Sequence, residues 1–274
     1  KKNKLYFIKI FLLIAKYPSA YTPISVISFF IFISVFAPVI SPYNPYEFVG
    51  NPIEPPQEKF LFGTDPVGRD ILSRIIYGSR ISLSVGFLST LISTLLATIF
   101  AIISGLYKGF FDILIMRITD GFLAFPTIII SLGIISITEP SILSISLAIA
   151  ISFTPKLLRV IRSEVLIVVN SNYVEAAKSL GISNINLIYT TILPNILSPM
   201  LVGFSVFFGT AIIMEAGLSF LGFGVTSPTP TWGYMINRGF VFIRQAPWIS
   251  IFPGFAIFIV ALSLNWLGDA IRDI

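Results

Sequence analysis

Six long apolar runs constrain this sequence more than any other feature. Each is close to the length that a helix needs to cross a bilayer, roughly 17–25 residues, and the first and fourth are at the short end. Because lipid offers no partners for backbone N–H and C=O groups, such runs fold as helices that satisfy their own hydrogen bonds. The runs are Ile24–Ile40, Ile81–Gly105, Ile118–Ile137, Ile142–Leu158, Ile196–Leu218 and Ile249–Leu267. The sequence therefore predicts an all-α polytopic membrane protein with six transmembrane helices.

The composition agrees with this fold and excludes several kinds of chemistry. Charged residues make up 11% of the 274 residues, whereas soluble domains carry about 25%. The chain has no cysteine and no histidine. Disulfides, thiolate chemistry, Cys/His metal sites and imidazole-based nucleophile pairs are therefore excluded. No basic patch interleaved with aromatic residues suggests nucleic-acid binding.

The sequence also indicates how the N-terminal stretch and the two termini are placed relative to the membrane. The short apolar stretch Leu5–Ala15 is expected to lie as a helix on the membrane surface, and a signal peptide is the weaker alternative. With the N-terminus inside, 12 of the 18 basic residues fall on the inner side. The positive-inside rule then predicts that both termini are cytoplasmic, which agrees with an even number of spans.

The predicted inner loop carries the signals of a short helix outside the membrane. Asn172 is a suitable N-cap, and Glu175 three residues later completes a pattern like a capping box. Gly181 suits the left-handed position that ends a helix. Such a helix can seat in a groove of another subunit, although an ordinary connecting loop is the alternative interpretation.

A second short helix is expected to follow directly in the same loop. Ser183 can cap a helix over Ile185–Ile192, which Pro194 would close at the start of the fifth span. Two helices joined at a glycine would make a rigid elbow between the fourth and fifth spans. Ala176 and Ala177 on the first helix would allow close approach of a partner.

The predicted outer loop contains a candidate amphipathic helix before the second span. Asp65 would be its N-cap, Pro66 its first residue, and Asp70 with Arg74 an i,i+4 ion pair. The apolar face of this helix would be formed by Ile71, Leu72, Ile75 and Ile76. One interpretation is a helix that only anchors the loop to the membrane. The other is a ledge where an external binding protein docks, with Asp65, Arg69 and Asp70 as the candidate docking residues.

The end of the fifth span combines a carboxylate with glycines. Glu215 either faces a polar translocation path, as a gate residue together with Gly222 and Gly224, or has a structural pairing role. Trp232 and Trp248 are expected to be aromatic anchors at the outer interface.

Two other classes of protein are alternatives to a transport subunit without its own energy source. An intramembrane enzyme would need a catalytic set within the spans, and the serines of the second span are better explained by helix packing. Those serines are Ser82, Ser84, Ser89 and Ser93. A secondary transporter would place ionisable residues near the midplane, where Glu215 is the single candidate. No G-x-x-x-x-G-K-[ST] motif is present, so any ATP must be bound by another chain.

Several segments resemble a known family. Glu175-Ala176-Ala177, Gly181 and Leu193-Pro194 look like the EAA loop of ABC importer permeases, although Thr191 stands where an apolar residue is usual. The wider pattern resembles the second permease of the dipeptide, oligopeptide and nickel branch. It comprises Gly63-Thr64-Asp65, Gly68-Arg69-Asp70, Glu215–Gly224, Leu267-Gly268-Asp269 and Arg272-Asp273.

The resemblance implies a type I ABC importer permease (MetI-like) fold in the cytoplasmic membrane. The implied organisation is a cytoplasmic or interfacial segment 1–22, a peripheral first span 23–40, an outer loop 41–80 with its amphipathic helix, and a five-helix core 81–274 containing the coupling loop 161–195. The residues implied to couple to the ATPase are Glu175, Ala176, Ala177, Lys178, Gly181, Leu193 and Pro194.

The resemblance also implies the partners and the substrate class. A paralogous permease, two ATP-binding-cassette ATPases and an extracytoplasmic substrate-binding protein would complete the importer. The chain itself would be neither an enzyme nor a cofactor-binding protein, because ATP and Mg would be bound by the ATPases. Peptides are the first expectation for the substrate, and oligosaccharides and nickel chelates are alternatives.

Overall fold

The computed structural model describes residues 18–225 and 228–273, and every described regular element is helical. The expected helix at Leu5–Ala15 lies outside these residues. The helices are α1 Pro18–Val35, α2 Ala37–Ile40, α3 Ile71–Tyr107, α4 Gly109–Leu123, α5 Thr127–Ser136, α6 Ile142–Val169, α7 Asn172–Ser179, α8 Asn184–Leu187, α9 Leu193–Phe220, α10 Trp232–Phe240 and α11 Trp248–Arg272. A π-helical turn, Ile188–Ile192, joins α8 to α9. The all-α fold predicted from the sequence is confirmed.

Within residues 18–225 and 228–273, four helices are single rods long and apolar enough to cross a bilayer. They are α3, α6, α11 and the continuous rod Asn184–Phe220. The remaining two predicted spans do not form single helices of that length. The first is a shorter apolar helix, Ala20–Val35, and the third is a pair of helices, α4 and α5, bent by 91°.

The bend in the third predicted span has a simple cause. Pro126 lies between α4 and α5 in an extended conformation, with a ψ angle of 131°. Proline has no N–H to continue a helix, and it disfavours helical geometry in the residue before it. The expectation of one straight helix over Ile118–Ile137 was therefore wrong, and the helical segment starts earlier, at Gly109.

The core is built around α3, which packs along α6 and α9. α9 also packs along α11, and α1 lies against both α11 and α3. A stripe of small residues on α3 permits this close approach. Ser82, Ser89 and Ser93 are fully buried in the stripe, as the packing interpretation predicted, whereas Ser84 is exposed. Three apolar clusters fill the space between these helices.

The loop of residues 41–70, the predicted outer loop, is held by its own polar groups. The Thr64 hydroxyl donates to the Asn51 carbonyl at 2.7 Å and accepts from the Glu54 N–H at 2.8 Å. The Asn51 N–H donates to the Glu54 carboxylate at 2.7 Å and lowers the pKa of Glu54 below its usual value. Gly68 adopts a φ of +84°, and a Cβ there would lie 2.3 Å from the Gly50 carbonyl oxygen. The loop is therefore an ordered structure despite having no long helix.

The separate amphipathic helix expected in this loop does not exist. The N-cap is Asp70, whose carboxylate accepts from the Ser73 N–H at 2.8 Å, and α3 then runs unbroken into the second span. Asp65 lies in the preceding turn, where its carboxylate accepts from Arg69 Nε at 2.8 Å. Arg74 is buried and pairs with Asp65 at 3.6 Å, not with Asp70. Two guanidinium groups therefore hold Asp65 in the turn and leave the capping position to Asp70.

Candidate functional site

The candidate coupling segment is the short helix α7, which follows the fourth span. Its N-cap is Ser171 and not Asn172, which is already the first helical residue. The Ser171 hydroxyl donates to the Val168 carbonyl at 2.5 Å and makes no side-chain cap hydrogen bond. The expected capping box is therefore absent. The Glu175 side chain is exposed, and the helix begins through backbone hydrogen bonds to the Ser171 carbonyl.

The end of α7 is the glycine-terminated turn that the sequence predicts. Gly181 has a φ of +78°. The Ile182 N–H donates to the Ala177 carbonyl at 3.2 Å, and the Gly181 N–H donates to the Lys178 carbonyl at 2.9 Å. These two bonds define a Schellman motif, in which a left-handed residue satisfies the last free carbonyls of a helix. A Cβ at Gly181 would meet no atom within 4 Å, so only the backbone conformation requires glycine.

The segment after Gly181 differs from the predicted second short helix. Ser183 does cap it, since its hydroxyl accepts from the Asn186 N–H at 3.4 Å. The helix does not close at Pro194, because the π-helical turn Ile188–Ile192 leads directly into α9. The extra residue in that turn precedes proline, which cannot donate an i→i−4 bond. The arm after the elbow and the fifth span are therefore one rod, Asn184–Phe220.

One face of the coupling segment is anchored in the protein. Val174 is the buried residue of α7, and Leu187 and Ile192 are buried on the other side of the elbow. All three belong to an apolar cluster built from α3 and α6. Both arms of the elbow therefore rest on the helices that form the core.

The other side of the segment is exposed and carries several large apolar side chains among polar ones. Leu180 is 82% exposed, and four more large apolar side chains are exposed before and after it in the chain: Tyr173, Ile182, Ile185 and Tyr189. Glu175 and Lys178 are exposed beside them, and neither forms an ion pair with any described residue. Exposed apolar side chains of this kind mark a contact surface for a protein or for the membrane.

Polar contacts that the sequence did not reveal tie α4 to α6 just before this segment. Arg162 donates through Nε and Nη2 to the Asp112 carboxylate at 2.8 and 2.7 Å, and Ser104 hydrogen-bonds the same carboxylate. Arg159 pairs with Asp120, and Lys108 donates to the Asn170 side chain at 2.9 Å. The partners Arg162 and Asp112, Arg159 and Asp120, and Lys108 and Asn170 are 50, 39 and 62 residues apart in sequence. Periodicity and capping rules therefore gave no signal for them.

Glu215 occupies a closed polar junction between α3, α9 and α10. It is fully buried, and its carboxylate accepts from the hydroxyls of Ser82 at 2.9 Å and Ser219 at 2.7 Å. Each of these two serine hydroxyls accepts a further hydrogen bond. The Thr231 hydroxyl donates to Ser219 Oγ at 3.4 Å, and the Trp232 N–H donates to Ser82 Oγ at 3.4 Å. This geometry supports the structural pairing interpretation, while the gate role stays a prediction.

The glycines after Glu215 shape the turn that closes this junction. Gly222 has a φ of +90° and ends α9 in a second Schellman motif, with the Phe223 N–H donating to the Leu218 carbonyl at 2.9 Å. A Cβ at Gly224 would lie 2.1 Å from Ser219 Oγ, so the backbone passes directly over the polar cluster.

The two tryptophans that follow are not equivalent. Trp232 is completely buried and donates through Nε1 to the Ile75 carbonyl at 3.0 Å, so its expected place as an interfacial anchor was wrong. The side chain fills the space above Gly78, where a Cβ would come within 3.2 Å of the ring. Trp248 is only partly buried.

The three predicted docking residues of the 41–70 loop are mostly internal. Asp65 and Asp70 are 5% and 1% exposed, and both are used within the loop and the start of α3. Arg69 is partly exposed. Their expected role in docking a binding protein stays a prediction, in which the carboxylates would act by holding the loop.

Comparison with known proteins identifies relatives over most of the chain. The family described as the binding-protein-dependent transport system inner membrane component matches residues 97–274. The dipeptide transport system permease protein DppC of Alkalihalophilus pseudofirmus is 40% identical over 249 residues, which is 90% of this chain and 82% of that protein. The glutathione transport system permease protein GsiD of Escherichia coli is 38% identical over 245 residues, or 89% of this chain and 81% of that protein.

Solved structures share the fold at low sequence identity. An inward-facing structure of the MetNI methionine ABC transporter matches with a TM-score of 0.63 and 13% identity, covering 74% of this chain and 97% of that chain. An amino acid ABC transporter crystallised with histidines matches with a TM-score of 0.59 and 18% identity, covering 74% and 95%. These matches confirm the expected type I importer permease fold.

Proposed function

The chain belongs to the family of binding-protein-dependent transport system inner membrane components, and from that membership we propose that it forms half of the channel of a peptide importer. It is a permease subunit of an ABC importer in the inner membrane, and it is not itself an enzyme. The names of its relatives, which state dipeptide and glutathione transport, support short peptides as the substrate. Short peptides are therefore the first candidate substrate, ahead of oligosaccharides and nickel chelates.

The single observation that carries the coupling role is the exposed apolar face of the anchored elbow. α7 rests on the core through Val174, and Leu180, the residue that follows the helix, is 82% exposed. A groove on an ATPase subunit would cover this face and pair Glu175 and Lys178 with groups of opposite charge. ATP and Mg would be bound by that partner.

The mechanism follows from the connection of α7 to the spans. ATP binding would close a pair of ATPase subunits and move α7 with its groove. Because the second arm is continuous with α9, the displacement would pass directly into the fifth span. The contacts between α4 and α6 would carry the third and fourth spans along, and the channel would alternate between outward-open and inward-open states.

The remaining parts of the proposal concern the sides of the membrane. Both termini and α7 would be cytoplasmic. The 41–70 loop would face outward, where Asp65, Arg69 and Asp70 would hold a surface for the external binding protein. A second, paralogous permease would complete the channel, and Glu215, Gly222 and Gly224 would lie at its gate.

The gate role has its own test. Glu215→Gln keeps the size of the side chain and one acceptor oxygen, so the complex should still assemble. If the carboxylate lines the path, peptide uptake by this variant will change at an unaltered yield of complex. Normal uptake would remove Glu215 from the gate and leave its structural role.

The whole proposal is tested by purifying the tagged chain gently from its native membrane and identifying the co-purifying proteins by mass spectrometry. We expect a second permease, P-loop ATPases and a binding protein, and the ligand of that binding protein identifies the substrate. A stable chain recovered without any ATPase would contradict the proposal.

A further inference from the structure

A cavity lies between the 41–70 loop, the start of α3 and α10. Its volume is about 400 Å³. The loop contributes Asp65 and Arg69, α3 contributes Arg74, and α10 contributes Tyr234 and Arg238. Pockets that bind small molecules typically measure about 300–1,000 Å³. The cavity is thus large enough for one end of a short peptide.

Positive charge exceeds negative charge among the residues that line the cavity. Three guanidinium groups, those of Arg69, Arg74 and Arg238, face a single carboxylate, that of Asp65. Asp65 is already shared between two of them, at 2.8 Å from Arg69 Nε and 3.6 Å from Arg74 Nε. The lining residues therefore carry two positive charges that no lining carboxylate balances.

Each of the three guanidinium groups is held in place by one hydrogen bond and keeps other N–H groups that can donate to a ligand. Arg74 donates through Nη1 to the Pro45 carbonyl at 2.8 Å, and Arg238 donates through Nε to the Tyr234 hydroxyl at 3.1 Å. Arg69 uses Nε for Asp65, and no residue within 18–225 or 228–273 accepts a hydrogen bond from its terminal nitrogens. A guanidinium group fixed by one edge presents the other edge for a planar anion.

Most of the remaining cavity wall is apolar and fits an anion that carries a hydrocarbon side chain, and the amide of Asn237, which also lines the cavity, donates to the Phe220 carbonyl. The apolar part of the wall is formed by Pro66, Val67, Met235, Val241, Phe242 and Ile249. An inorganic anion would gain nothing from these groups, whereas the last residue of a peptide offers a carboxylate and an apolar side chain together.

We propose that this cavity binds the C-terminal carboxylate of a short peptide, with Arg69 and Arg238 as the carboxylate-binding residues. The inference rests on the proposed function in taking peptides as the substrate. It adds a peptide site on the permease itself, at the face that the 41–70 loop would present to the external binding protein. The apolar wall would receive the side chain of the C-terminal residue.

The test compares a peptide acid with its amide on the intact complex. The complex is placed in nanodiscs of neutral lipid, without nucleotide or binding protein, and binding of glycyl-leucine and glycyl-leucinamide is measured by saturation-transfer NMR. The acid should bind at least about tenfold more tightly than the amide, since charge-assisted hydrogen bonds are lost with the carboxylate.

Variants assign this preference to the cavity. Arg238→Gln should abolish it with the fold intact, because Arg238 is exposed. Arg69→Gln should abolish it as well, and Arg69→Lys should restore part of it. The matched control is Arg244→Gln, which removes the same charge from an exposed position that does not line the cavity and should leave the preference unchanged.

Three results would overturn the inference. They are equal binding of acid and amide, an acid preference that survives Arg238→Gln and Arg69→Gln, and loss of peptide binding when phosphatidylglycerol is added to the nanodiscs. The last result would assign the cavity to a lipid phosphate. ATP-dependent peptide uptake is measured separately, on the same complex reconstituted into sealed proteoliposomes with ATP and the binding protein. Peptide uptake without acid preference would refute only the site, while absent uptake of any peptide would refute the proposed function.

Discussion

Replacing Gly181 isolates the contribution of the elbow conformation, because nothing surrounds this residue. A Cβ at Gly181 meets no atom within 4 Å, so substitution causes no clash. The cost is that of holding an L-residue at a φ of +78°, about 1–2 kcal/mol for alanine. This free energy raises the population of the opened elbow by roughly 5–30-fold.

Amide hydrogen exchange of the reconstituted complex, read by mass spectrometry, measures that population. Peptides covering residues 172–180 should exchange about 5–30-fold faster in Gly181→Ala, less so in Gly181→Asn, which tolerates this region, and most in Gly181→Val. The matched control is Gly121→Ala, which also meets no atom within 4 Å but has no positive φ, and whose exchange should be unchanged.

Transport should follow the same order as exchange. Peptide uptake per ATP hydrolysed should fall from Asn to Ala to Val at position 181, while membrane insertion is retained. If Gly181→Val transports normally, or if Gly121→Ala alters exchange as much as Gly181→Ala does, the elbow argument is wrong.

Three further substitutions test other contacts of the structure. Asp112→Asn removes the ion pair with Arg162 and should lower peptide uptake several-fold while the ATPases remain bound. A double variant that exchanges the two residues, Asp112→Arg with Arg162→Asp, should restore part of the uptake. Unaltered uptake in Asp112→Asn would refute a role of this pair in coupling. Ser82→Ala removes one of the two hydroxyl groups that donate to the buried Glu215 carboxylate. It should lower the free energy of unfolding by about 1–3 kcal/mol, which would be seen as a lower Tm. An unchanged Tm would contradict the hydrogen-bonded junction around Glu215. Gly233→Ala places a Cβ 2.5 Å from a backbone oxygen of α9 and should destabilise by about 1–3 kcal/mol, whereas Gly254→Ala, with no atom closer than 4.0 Å, should be tolerated; equal stability of the two would contradict the packing.

Local rules predicted the features that depend on a few neighbouring residues. The left-handed turn at Gly181 and the cap at Ser183 are both confirmed, since each requires only the residue itself and the helix beside it. The break at Pro126 had a local signal as well, because proline stops a helix from within. There the apolar run outweighed the proline and gave the wrong expectation of one straight span.

Features that depend on distant partners could not be predicted in this way. Asp65 and Asp70 are equally suitable caps by sequence. The choice falls on Asp70 because Arg69 and Arg74 hold Asp65 in the turn before it. Trp232 likewise follows a proline-rich segment typical of an interface, yet it is buried because α3 offers the space above a glycine.

Site-specific cross-linking tests the central claim that α7 seats in an ATPase subunit. The chain contains no cysteine, so a single Glu175→Cys gives one attachment point for a short thiol cross-linker. The control is Phe48→Cys, at a position that is 72% exposed in the 41–70 loop. Our account predicts a cross-link to the ATPase from position 175 and none from position 48. A cross-link to the ATPase from position 48, with none from position 175, would contradict it.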